Sequence, residues 1–111
     1  MDVKLTKDTD ALICLIYKYY LGIRDNGIPK SEAKILGSSE DINNNIIPDW
    51  SFDDVDDTCR ELHRVDLLSI EYADDVCYEV VLTDEGIAYM ENRFSNKLDK
   101  LVNYISAIKF W

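Results

Sequence analysis

The chain has 111 residues, 47% of them apolar and 31% charged, and a formal net charge of −10. That length and composition describe one domain able to bury a core without metal or disulfides, and they exclude a disordered chain. Three widely separated cysteines, Cys14, Cys59 and Cys77, exclude a complete disulfide framework within one chain and the paired spacing of a zinc or redox site, so they are read as small buried residues in a reducing compartment.

The charge is unevenly placed. Residues 1–39 carry a net +1, residues 40–92 a net −14 and residues 93–111 a net +3. The amino end is polar and acidic rather than signal-like, and the longest apolar-rich run, 11–23, is interrupted by Lys18 and too short for a bilayer. A cytoplasmic protein without membrane contact is the expectation.

Taken in chain order, residues 8–24 predict a first helix, with Leu12, Leu15, Ile16, Tyr19, Tyr20 and Ile23 on one broad apolar face and Asp8 or Thr9 as cap. Asn26-Gly27 ends it, and Pro29 opens a short second helix, 30–36, stopped by Gly37. Residues 38–50 read as a loop, in which Ser39 caps at most one turn over 40–43. Asp41, Asn43 and Asn45 have the spacing of half a calcium loop. Ile46 stands where that loop needs glycine and Phe52 where it needs glutamate, so no calcium site is expected.

Ser51 to Gly86 is the most informative stretch. Phe52, Val55, Cys59, Leu62 and Val65 share one face of a helix that Ser51 caps, with Asp53 and Asp54 in its first turn and Arg60, His63 and Arg64 further on. Leu68, Ile70 and Tyr72 then alternate with polar residues, and the run from Cys77 to Leu82 follows Ala73-Asp74-Asp75, which predicts a hairpin with an acidic tip. Thr83 caps the next helix. Its apolar spacing runs through Ile87, Met90, Phe94, Leu98, Leu101, Ile105 and Ile108, either as one long helix, 84–110, or as two joined at Ser95-Asn96. This seam either folds back along the first helix or dimerises through Phe94, Leu98, Leu101, Ile105, Ile108 and Trp111, with Arg93, Lys97 and Lys100 as a basic side.

The expected fold is therefore mainly helical α+β: one winged helix-turn-helix domain spanning 1–111, its core at 8–94, with a two-stranded wing and a long C-terminal helix. The order of elements, with Leu82-Thr83-Asp84-Glu85-Gly86 and the ending Ile108-Lys109-Phe110-Trp111, resembles the YjcQ-like family of small winged-helix proteins from bacteria and their phages over residues 40–111. The resemblance implies the fold and carries over no activity and no catalytic residue.

In such a fold the third helix and the hairpin tip face DNA and need cations against a duplex bearing one charge per about 1.7 Å. Here those elements offer Asp53, Asp54, Asp56, Asp57, Glu61, Asp74 and Asp75 against Arg60 and Arg64. The sole histidine, His63, has no recognisable catalytic partners, and the tyrosines lack the interleaved basic residues of a base-stacking surface, so neither an enzyme nor a cofactor is expected. The expectation is a non-enzymatic interaction module that binds a basic or DNA-binding protein through Asp53, Asp54, Asp57, Arg60, Glu61, Arg64, Asp74 and Asp75. The alternative is a winged-helix DNA-binding transcriptional regulator of bacterial or phage origin.

Overall fold

The computed structural model describes residues 4–94 and 98–108, and the side chain of Ile108 lies outside that description. Among the described residues the fold is mainly helical α+β, with six helices, α1 (Lys7–Asp25), α2 (Lys30–Ala33), α3 (Ser39–Asn45), α4 (Phe52–Arg64), α5 (Asp84–Phe94) and α6 (Leu98–Ile108), and three strands, β1 (Ile35–Gly37), β2 (Leu68–Ala73) and β3 (Val76–Leu82), in an antiparallel sheet of order β1-β3-β2. No described helix is long and apolar enough to cross a membrane.

Helix α1, Lys7–Asp25, is the central element. It is capped by Thr6, whose hydroxyl accepts the Thr9 N–H at 3.3 Å, two or three residues earlier than the Asp8 or Thr9 the sequence predicts. The burial is also wider than the predicted stripe. Ala11, Ile13, Cys14 and Tyr17 are buried along with Leu12, Ile16 and Tyr20, because α2, α4, α5 and α6 all pack around this helix.

The next stretch differs from the sequence expectation in three places. Helix α2 is a single turn, Lys30–Ala33, and residues predicted to continue it form β1, Ile35–Gly37, paired with β3 through Ile35↔Val81 and Gly37↔Val80. Three residues are too few to show a period of two, so nothing local marks the strand. Residues 39–45, read as loop, are helix α3. Ser38 and Asp41 form a capping box around its first turn, and Ile42 is wholly buried. The Asp41 carboxylate is thereby turned onto the Ser38 N–H at 2.9 Å.

Helix α4, Phe52–Arg64, begins at the predicted Ser51 cap and buries Val55, Cys59 and Leu62, while Phe52 is 40% exposed. Strands β2, Leu68–Ala73, and β3, Val76–Leu82, form the expected hairpin. Its two-residue turn has Asp74 at φ 51° and Asp75 at φ 64°, the positive-φ pair that a tight hairpin turn requires and that aspartate tolerates.

At the junction with α5, Asp84–Phe94, the Thr83 hydroxyl accepts the Gly86 N–H at 2.8 Å and donates to the Asp66 carbonyl at 2.6 Å. A Cβ on Gly86 would stand 2.4 Å from the Leu67 carbonyl oxygen, so the Thr-Asp-Glu-Gly element is a close approach between the first turn of α5 and the connection from α4 to β2.

The predicted long C-terminal helix is two helices, α5 and α6, the latter Leu98–Ile108; the expected join at Ser95-Asn96 lies outside the described residues. Phe94 and Tyr104 have ring centroids 5.6 Å apart, whereas ten residues of continuous helix rise about 15 Å. Helix α6 therefore turns back to pack on α1, burying Leu101 and Ile105. Each such side chain contributes roughly 1.5–3 kcal/mol, and an isolated helix this short is marginal in water.

Two substitutions test this packing. Leu101→Ala should lower the urea-unfolding free energy by about 2–5 kcal/mol, while Leu98→Ala, at an exposed site, should stay within about 0.5 kcal/mol. Gly86→Ala should cost roughly 1–3 kcal/mol, read as a lowered thermal midpoint, because backbone rather than a flexible side chain must give way.

Candidate partner-binding surface

The outward side of α4 carries Asp53, Asp54, Asp57 and Arg64 in exposed positions, with Arg60 and Glu61 half-buried. Asp74 and Asp75 are exposed at the hairpin tip. What joins the two sets is Arg60. Its Nε donates to Asp56 at 2.9 Å, its terminal nitrogen donates to the Asp75 carbonyl at 2.6 Å, and the guanidinium lies 5.1 Å from the centre of the Tyr72 ring. His63 adds a second tie, with Nδ1 2.9 Å from the Leu68 carbonyl, to which it donates, and its ring edge-on to Tyr72. The hairpin is thus tied to α4 through the Asp75 backbone carbonyl, Tyr72 and the Leu68 carbonyl.

Arg60 was expected among the partner-facing residues, and the geometry gives it an internal role. Its hydrogen bonds and its stacked face are directed within the chain. By contrast, Asp53, Asp54, Asp57, Asp74 and Asp75 form no ion pair among the described residues. Arg64 and Glu61 border a shallow cleft of about 190 Å³ that also takes in Lys4 and Leu5, so the two ends of this surface differ in charge.

Asp56 anchors the arrangement. Burial alone would raise its pKa, but hydrogen bonds from Cys77, Ser39 and Arg60 and the arginine charge outweigh it and hold the carboxyl below the ordinary aspartate value. The Ser39 hydroxyl donates at 2.8 Å from α3, so one carboxylate ties α3, α4 and β3 together. The sequence counts Asp56 with the outward acidic residues of the helix, and its inward bond to Ser39 is not legible there because that partner lies 17 residues away. The three cysteines are buried and free, and burial first of all pushes their thiols up, Cys14 and Cys59 to about 12 and Cys77 to about 11.

The residues predicted to dimerise are divided. Phe94, Leu101 and Ile105 lie inside this chain's own core, which is the fold-back arrangement of the seam, and Leu98 is 40% exposed. Ile108 is the last residue of α6, and Trp111 lies outside the described residues. Of the expected basic side, Arg93 is turned onto Asp10, Lys100 is exposed and Lys97 lies outside the described residues.

Asp10 accepts both terminal nitrogens of Arg93 and the Tyr104 hydroxyl, joining α1, α5 and α6. Burial opposes its charge, but the hydrogen bonds from Arg93 and Tyr104 and the guanidinium charge hold its pKa below the ordinary value. Both Asp10 and Asp56 therefore stabilise the fold above the unfolded carboxylate pKa of about 3.9, and that stabilisation is lost as pH falls from there through their depressed folded values. A urea midpoint followed downward from pH 5 should drop steeply below about pH 4 in the native chain and less steeply in Asp10→Asn.

Comparison of the chain with protein-family models, with curated proteins and with solved structures gives no match.

Proposed function

We propose that this protein is a winged-helix interaction module that engages a basic protein segment through the acidic surface of α4 and the β2–β3 hairpin, without enzymatic chemistry. The element order supports the fold reading: β1 enters the sheet ahead of α3 and α4, β3 lies between β1 and β2, α4 takes the place of the recognition helix, and the hairpin takes the place of a two-stranded wing. The resemblance to the YjcQ-like family belongs to the same proposal. Fold alone does not assign function, so the surface decides.

The observation that carries the reading is the engagement of Arg60. With that guanidinium bound to Asp56, the Asp75 carbonyl and Tyr72, the helix and tip present Asp53, Asp54, Asp57, Asp74 and Asp75 with Arg64 as the remaining cation of α4. Such a surface repels phosphate and attracts lysine and arginine, mainly by steering the encounter and rejecting wrong partners.

A second reading, a winged-helix DNA-binding regulator, draws on the same element order and on Lys4 and Arg64 sharing one cleft. Fluorescence anisotropy with a labelled lysine- and arginine-rich peptide and a labelled short duplex separates the two. At physiological salt the peptide should bind, with affinity falling as salt rises, and the duplex should stay free. Replacing Asp53, Asp54 and Asp57 by lysine should abolish peptide binding and admit the duplex. Two arginines support a log–log salt slope of about −2 at most, so micromolar duplex binding by the native chain with a slope near −5 would transfer the assignment to the second reading.

A further inference from the structure

We propose that α6 is a releasable strap, held over the α1–α5 seam by the Asp10–Arg93–Tyr104 clasp and able to open as a unit while the rest of the core stays closed. The helix rests chiefly on α1, with a smaller contact to α5, and its inward anchors are Leu101 and Ile105. Leu98, Asp99, Lys100 and Val102 face outward. An element with so few apolar anchors belongs to the low-stability end of a fold, where local opening precedes global unfolding.

The clasp supplies what the apolar contact lacks. Arg93 from α5 reaches Asp10 on α1, the Tyr104 hydroxyl from α6 bonds the same carboxylate, and the guanidinium lies 5.1 Å from the Phe94 ring centre and 4.6 Å from that of Tyr104. Tyr104 is thus the one member that travels with α6. When it leaves, Asp10 and Arg93 keep each other while Phe94, Leu101 and Ile105 lose their cover.

The protein carries its own reporter. Cys14 is fully buried, with its thiol 4.0 Å from the clasp carboxylate of Asp10, whereas Cys59 and Cys77 are fully buried among α3, α4 and β3 around Asp56. Opening of α6 therefore exposes Cys14 and spares the other two. The test is N-ethylmaleimide labelling of the native 111-residue chain, followed per cysteine by peptide mass mapping. Cys14 should react faster than Cys59 and Cys77, and Tyr104→Phe, which removes one oxygen and keeps the ring, should speed Cys14 by about tenfold with the other rates unchanged. Arg93→Gln, which removes the guanidinium face against the Tyr104 ring, should act in the same direction, and if it fails to fold, Tyr104→Phe carries the test alone. One common rate for all three thiols, or a Cys14 rate untouched by Tyr104→Phe, would overturn the proposal.

Discussion

The Asp56 carboxylate sits inside a seam where a lone negative charge would be unfavourable, and it is kept there by donors from three directions. Ser39 reaches it from α3, Arg60 from the next turn of its own helix and Cys77 from β3. A buried charge without such partners costs far more than the pair contributes, so these contacts stand or fall together. Arg60 then extends the network to the hairpin by holding the Asp75 carbonyl and lying over Tyr72. This chain of contacts ties the β2–β3 hairpin to α4.

The same network changes the meaning of the charge map. Residues 40–92 contain two basic side chains, Arg60 and Arg64, and Arg60 is turned toward internal partners. Arg93, counted from sequence as part of a basic side, is likewise turned inward onto Asp10. Lys30 and Lys34 converge on Asp84 at 3.3 and 3.6 Å, an exposed pairing that contributes little to stability but neutralises cations at the start of α5. Among the described residues Lys30, Lys34, Arg60 and Arg93 are thus ion-paired within the molecule, whereas Asp53, Asp54, Asp57, Asp74 and Asp75 are not.

Asp10 and Asp56 follow one design in two places. Each is a half-buried aspartate bound to an arginine and a hydroxyl where three elements meet, and each arginine also lies against an aromatic ring. Their difference lies in what they hold. Asp56 binds elements that share the sheet and the main core, whereas Asp10 binds a helix whose remaining attachment is a short apolar stripe.

Much of the architecture was written in local signals. Ser51 with Asp53 and Asp54 marks the start of α4, the alternation from Leu68 to Tyr72 marks a strand, and Thr83 with an acidic first turn marks α5, because caps and periodicities act within a few residues. Features that depend on distant partners were not legible. Ile35 to Gly37 is a strand because β3 offers it an edge, the asparagine run is helical because Ile42 has a core to enter, and Arg60 is a strut because the Asp75 carbonyl is folded back to meet it. The residues determined by themselves which segments coil, which extend and where acid gathers. Tertiary structure alone decided which of those charges face water, since a side chain's partner is chosen by proximity in space and not by spacing along the chain.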